Sequence, residues 1–385
     1  ISKANLKIKD EQIFLNSENI FLFLNLKNIY NYKNFNTKKI LLNNTRLSIE
    51  FEKIGKILKY LTNLKKKLDV KKLDLVLKNN ESQVITLSDI NFFNHGYKKN
   101  NINGKIFNKN FSLKLDSNYK NINFKILNTG INAKIILDDI KKTNTIIGSS
   151  KINILNNYLK LNFSFNEGVI NFSNSILKNK DILLNFDSLI KFLPFFEFNS
   201  NIQVKKFNKD SLKRLSLKKI IKNTEIIKKL NSKNKIKYQK KIARNSLIQI
   251  KSLDLDLANG GVVLLSKIYI SGGLMNCNAQ GLLIEEYPRI NFTCNIVIDN
   301  KKKFFKSFDI SKKLNGDTVY LSIVGSLNLL NQKVNLEKIY SKNIYTANEE
   351  DLIYFKETFE RILFDDGFFN IFDTKKIKLF ILEVI

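Results

Sequence analysis

The chain carries little with which to do chemistry. Among its 385 residues are one His, two Cys, one Met and no Trp. A metal centre needs several clustered ligands, and a nucleophilic triad needs a positioned base. His95, Cys277 and Cys294 are too few for either. The two prolines argue against a disordered linker or a loop-rich enzyme. Long apolar runs are lacking too. The nearest approach, residues 189–198 (LIKFLPFFEF), is short and is broken by Lys191, Pro194 and Glu197. No signal peptide is visible, and the first residue is not Met. The expectation is a piece of a longer chain whose targeting segment lies upstream.

Charge of one sign is also scarce. Lys and Arg number 65 against 35 Asp and Glu, a formal net charge of +30. Such an excess suits an acidic partner, either nucleic acid or an anionic membrane. Two features weaken a specific nucleic-acid reading. Arg, the residue of bidentate phosphate and guanine recognition, is rare. The lysines alternate along strand-like runs instead of forming one stripe, and a Lys-, Asn- and Ile-rich composition is what AT-rich coding produces. Solvated faces are the preferred reading.

What is present is apolar residue at a strict spacing, 43% of the chain with 30 Phe. Ile20, Leu22, Leu24 and Leu26 share one face of a strand, and residues 45–51 form another. Phe51, Ile54, Ile57, Leu58, Leu61 and Leu64 recur at three and four, predicting a helix over 52–66 that ends in Lys65, Lys66 and Lys67. From 68 to 204 the period is two again. Leu113 and Leu115, Phe124 and Ile126, Phe163 and Phe165, and Leu184 and Phe186 alternate with Lys, Asn and Ser. Short Asn-, Asp- and Gly-containing breaks separate these runs. Residues 206–245 interrupt the pattern with a lysine-rich stretch of helical spacing (Leu212, Leu215, Ile220, Ile227). That stretch reads as a helical insert between modules, or as a basic arm for lipid headgroups. Strands resume at 246, with turns at Asn259-Gly260-Gly261 and Ser271-Gly272-Gly273. Helices are expected near 301–313 and 349–364. The division is a β-rich module over 1–205, the basic insert over 206–245 and a C-terminal β module over 246–385.

The candidate chemistry is thin. His95 lies in a polar turn and reads as a solvated loop side chain. Asp254 and Asp256, Glu285 and Glu286, and Glu349, Glu350 and Asp351 lack the spacing of a glycosidase pair or a calcium loop. No Gly-rich phosphate cradle occurs. Nothing calls for a cofactor or metal, and no catalytic residue is assigned. Cys277 and Cys294 fall on one face of a hairpin, opposite or one pair offset. They form either a disulfide in an oxidising compartment or two buried thiols.

The fold class is mainly β: an elongated antiparallel meander forming a curved sheet or groove, apolar on one side, with a few amphipathic helices. The expected helices are too few to cover that apolar side. Either a second sheet closes a dry core or the sheet curves around a trough suited to acyl chains. Residues 324–340 (VGSLNLLNQKVNLEKIY) and the run from Asn348 to Ile385 are similar to the C-terminal region of AsmA-like proteins. Residues 169–192 (VINFSNSILKNKDILLNFDSLIKF) resemble the strand repeats of that family. The similarity spans most of the chain through motifs that are not catalytic. It implies a non-enzymatic periplasmic protein, anchored in the inner membrane through an N-terminal segment absent here. That protein would move phospholipid toward the outer membrane through repeating β-groove modules. The expected partners are phospholipid acyl chains and the membrane, with no specific nucleic acid. Candidate groove residues are Phe124, Phe163, Phe165, Phe172, Phe186 and Phe198. The competing reading is a structural or adhesive solenoid or sandwich with a closed core.

Overall fold

The computed structural model describes residues 2–8, 13–24, 37–50, 53, 66–79, 82–96, 99–116, 120–138, 145–166, 168–192, 196–208, 221, 224–239, 248–308, 318–342, 344–364 and 374–384. The protein is mainly β, built as curved, unclosed and predominantly antiparallel sheet with few helices. It divides into two compact units, Ile1–Leu177 and Lys178–Ile385.

In the first unit, β1 (Ser2–Ile8), β2 (Ile13–Leu24), β3 (Thr37–Glu50), β4 (Lys67–Asn79), β5 (Ser82–Phe93) and β6 (Asn101–Ile106) come first. They are followed by β7 (Lys109–Leu115), β8 (Asn121–Ile126), β9 (Ile131–Leu137), β10 (Ile146–Ile154), β11 (Asn157–Asn166) and β12 (Val169–Lys178). From β1 to β11 each strand pairs with the next in sequence. In the second unit, β13 (Ile182–Lys191), β14 (Glu197–Phe207), β15 (Asn231–Gln239), β16 (Ile248–Ala258) and β17 (Gly261–Ile270) are followed by β18 (Gly273–Leu282), β19 (Arg289–Ile298), β20 (Val319–Asn328), β21 (Val334–Ser341) and the short β22 (Tyr345–Thr346). These too pair in chain order. Such order follows from the turns. Two to four polar residues suffice to return an antiparallel strand beside its predecessor.

Two joints depart from the antiparallel rule. β3 and β4 run parallel, as do β14 and β15. A parallel neighbour requires a long crossover. The two crossovers are residues 51–66 and 208–230, both stretches where the sequence leaves its period of two. The expected helix at 52–66 lies outside the described residues except for Glu52's neighbour Lys53 and the final Lys66. Within the basic stretch, helix α1 (Thr224–Lys229) is present. Residues 231–239, expected as part of a helical insert, are instead the strand β15. Their alternation (Ile236 and Tyr238 between lysines) was outweighed by the surrounding lysines. Helix α2 spans Lys301–Ser307 and helix α3 spans Glu349–Leu363. The expected extension of α2 to residue 313 falls outside the described residues. A further helix, α4 (Thr374–Val384), closes the chain.

Curvature has a local cause. Asn44, Lys72 and Asp89 interrupt β3, β4 and β5 with positive φ of 50°, 52° and 53°. β4 and β5 slip register at these points. Bulges bend a strand and free backbone groups, and nearby polar side chains take them up. The Lys72 amide donates to Asn91 Oδ1 at 3.3 Å, and the Asp89 amide donates to Asp74 Oδ1 at 3.2 Å. Lys105 Nζ then binds Asp89 at 2.7 Å.

Three glycines sit inside strands directly opposite a phenylalanine: Gly104 opposite Phe111, Gly148 opposite Phe163, and Gly325 opposite Phe292. A Cβ on each would come within 3.0–3.1 Å of the facing ring. The ring therefore lies across its neighbour strand instead of standing up from the sheet. At Gly148 a Cβ would also stand 2.5 Å from the Ile136 carbonyl oxygen. Gly148→Val is expected to destabilise the protein by about 2–3 kcal/mol, because ring and backbone must both move. Urea unfolding should show a lower midpoint with an unchanged slope.

Candidate functional site

Register extends the strand periodicity into rows that cross each unit. In the first unit one row runs Phe92, Ile102, Leu113, Phe124, Ala133, Ile152, Leu159 across seven strands. Beside it, Phe163 faces Gly148 and Phe165 faces Ile146. Phe111 and Phe124 approach at 5.8 Å between ring centroids. In the second unit a row runs Phe186, Ile202, Ile236, Leu253, Ser266, Cys277, Cys294, Ile323, Ile339. Phe198 belongs to a parallel row with Ile190, Ser232, Leu257 and Val262. The rows are apolar, Ser232 and Ser266 excepted, because alternate strand residues are apolar and the named residues pair directly across the strands.

The six phenylalanines chosen from sequence thus fall in two sets. Phe124, Phe163, Phe165 and Phe172 belong to the first unit, and Phe186 and Phe198 to the second. All six are half-buried. In a close-packed core such side chains would be almost wholly withdrawn from water. Here the floor is buried, as at Phe111, Ala133, Val262 and Ile268. The larger side chains on it keep part of their surface open.

The contrast is clearest where the second unit is capped. Leu327, Leu329 and Val334 are buried together with Ile221 of the crossover, and Phe359 and Phe364 of the closing stretch pack on them. Asn348 starts α3 with a capping box shared with Asp351, and Leu363 is buried near its other end. Glu360 Oε1 accepts the free amide of Val334 at 2.8 Å, pinning the helix along β21. Phe359 also meets Phe380 of α4 edge-on at 5.6 Å, and Arg361 binds Glu383 at 2.8 Å. This end of the apolar face is packed shut in the manner of a globular core.

Three polar features interrupt the apolar faces. Cys277 and Cys294 are directly opposite one another, with Cα atoms 4.0 Å apart, and are joined as a disulfide on the apolar face. Ser188, Ser200, Ser232 and Asn234 form a buried polar group across β13, β14 and β15. Within it Ser200 Oγ is 2.6 Å from Asn234 Oδ1, and Asn234 Nδ2 donates to Ser232 Oγ at 2.9 Å. Lys251 stands in a row with Tyr238 and Ile268. Burial among these neighbours lowers its pKa from 10.5 to about 8. Sequence periodicity missed Lys251 because the residue is polar at an apolar position. The only signal was the break in alternation between Ile250 and Leu253.

His95 is not the solvated loop side chain expected. Its Nε2 stands 2.6 Å from Oδ1 of Asp69, which is only 6% exposed and also binds Lys39 at 2.5 Å. Asn94, the residue before it, accepts the Leu68 amide at 2.7 Å and so folds the turn back onto β4. The cluster joins the end of β5 to β3 and β4 around a buried carboxylate. Among the described residues no group of three His, Cys, Asp or Glu is placed to hold a metal ion. No described helix is long and apolar enough to cross a membrane. Comparison with protein-family models, curated proteins and solved structures finds no match in any of the three.

The lowered Lys251 pKa makes stability depend on pH in a defined direction. Below pH 8 both folded and unfolded chains carry the charge, and the folded state bears the full desolvation cost. Between pH 8 and 10.5 the folded lysine has lost its proton while the unfolded one keeps it, so stability rises. Lys251→Met should therefore stabilise the protein at pH 7 by about 1–3 kcal/mol. In chemical denaturation series the difference from wild type should narrow as pH rises from 8 to 10.5.

Proposed function

We propose that the protein is a non-enzymatic, AsmA-like lipid handler that carries phospholipid acyl chains along the apolar faces of its sheets. It acts in the periplasm between inner and outer membrane, in support of outer-membrane biogenesis, anchored to the inner membrane by a segment outside this sequence. The observation that carries the reading is the apolar row in each unit, interrupted by Ser266 in the second, along which most described side chains stay half-open, in contrast to the packed cluster where α3 meets β20 and β21. A fold that needed a dry core would bury Phe124, Leu159, Ile202 and Leu253 as fully as it buries Leu327 and Val334. An acyl chain laid along such a face gains about 0.8 kcal/mol per methylene withdrawn from water. It needs no directional contacts, in keeping with a face that offers mostly Ile, Leu and Phe. Rings laid flat over Gly104, Gly148 and Gly325 keep the floor low enough to admit a chain. The disulfide suits an oxidising compartment such as the periplasm.

The competing reading, a structural or adhesive β protein, predicts that the apolar faces meet protein instead of lipid. Mass spectrometry of lipids extracted from the purified protein separates the two. Phospholipid should be enriched over a β protein of similar size prepared alongside. The paired substitution Phe163→Asp and Phe186→Asp should cut the bound lipid several-fold while circular dichroism stays β-rich. Lipid content equal to the control, or unmoved by these substitutions, rules out the trough.

A further inference from the structure

We infer that one strand-end rim of the second unit is a docking surface for an anionic lipid bilayer. Over most of β18 to β20 the outer face is polar, and Lys267, Asn276, Asn295 and Ser322 share one row on it, while β17 also exposes Val263 and Leu265 there. At one shared end of these strands the alternation fails. There Tyr269, Leu274, Val297 and Tyr320 form the last outer row in register. On the inner face at the same end stand Ile268, Met275, Ile296 and Leu321. The sheet of the second unit is thus apolar on both faces at this rim. A strand end meeting only water has no reason to lose its polar side.

The outer row is not covered: Tyr269 is 39% and Tyr320 43% exposed. On the turn between β21 and β22, at the same end, Ile344 is 83% exposed. Cations frame the patch. Lys267 Nζ lies 5.3 Å from the Tyr269 ring centroid, and Lys342 Nζ lies 5.1 Å from that of Tyr320. Helix α2, which begins directly after β19, adds the exposed Lys302, Lys303 and Lys306. Among the described residues, the acidic groups at this end are Asp299 and the run Glu349 to Asp351. That run sits in the first turn of α3, where the positive end of the helix offsets it.

Tyrosine rings with a polar tip, a protruding aliphatic side chain and long lysine stems are what the headgroup zone of a bilayer accommodates. The lysines add attraction to anionic headgroups. Single-stranded nucleic acid fits less well, because base stacking needs free ring faces and lysines already stand over two of these rings. The inference shares with the trough reading only the choice of phospholipid as partner, and the two fail separately.

The test is flotation of the full chain with phosphatidylcholine vesicles, with and without phosphatidylglycerol. Binding should be at least about tenfold tighter with the anionic lipid and should weaken with salt. The triple variant Lys302→Glu, Lys303→Glu, Lys342→Glu should lose that advantage. The matched variant Lys233→Glu, Lys235→Glu, Lys237→Glu, an equal charge change on the exposed face of β15, should keep it. Tyr269→Ser, Tyr320→Ser, Ile344→Ser should weaken binding while leaving its salt dependence. Equal losses in the two lysine variants, no preference for anionic vesicles, or rim-dependent binding to nucleic acid at physiological salt each overturn the inference. Absent vesicle binding with co-purified phospholipid intact removes the rim alone. Vesicle binding without co-purified lipid removes the trough alone.

Discussion

Hydrogen bonding between consecutive strands carries this protein, because the face the strands share is only half withdrawn from water. In a globular domain, burial of side chains between two layers supplies most of the stabilisation and the ladders follow. Here the described residues of each unit form a single layer over most of their length. Register then matters more than usual. A slip of one residue would turn a row of Ile, Leu and Phe outward and a row of Lys and Asn inward. The short turns, the bulges at Asn44, Lys72 and Asp89, and the glycine–phenylalanine pairs all fix that register. Their polar side chains satisfy what the bends leave unpaired.

The same constraint accounts for composition. Lysine and asparagine fill the outer face, where they keep a broad sheet soluble and discourage edge pairing. Much of the net positive charge is therefore the solvated side of a one-sided sheet. At the strand-end rim of the second unit the lysines take on a second character, because there they frame tyrosines instead of alternating with leucines.

Much of the fold was legible in the sequence, and the reasons differ by element. Strands announced themselves because alternation such as Leu159, Leu161, Phe163, Phe165 admits no other packing. Helix α3 was legible too, expected near 349–364 and formed over Glu349–Leu363. The parallel joints were not, since a helix-like stretch between strands has the same pattern whether it is an insert or a crossover. β15 was hidden by lysines that belong to its outer face. The pairing of His95 with Asp69 was invisible because it joins residues from a turn and a strand start. That Cys277 and Cys294 share a face followed from hairpin parity, whereas their union as a disulfide was one of two open readings. The phenylalanines were found by periodicity. Their half-open state was not, because alternation is identical for a groove and for a closed core. Gly104, Gly148 and Gly325 were the overlooked signal, each an interior glycine that lets a facing ring lie flat.

The central claim is that the apolar rows are an open lipid path. Photo-crosslinking with a phospholipid bearing a diazirine on its acyl chain, mapped by peptide mass spectrometry, tests it most directly. Label should fall on the rows through Phe124 and Phe163 in the first unit and Phe186 and Leu253 in the second. It should spare the outer-face strand centres and the packed cluster at Leu327 and Val334. Label spread evenly over both faces, or absent from those rows, would contradict the account.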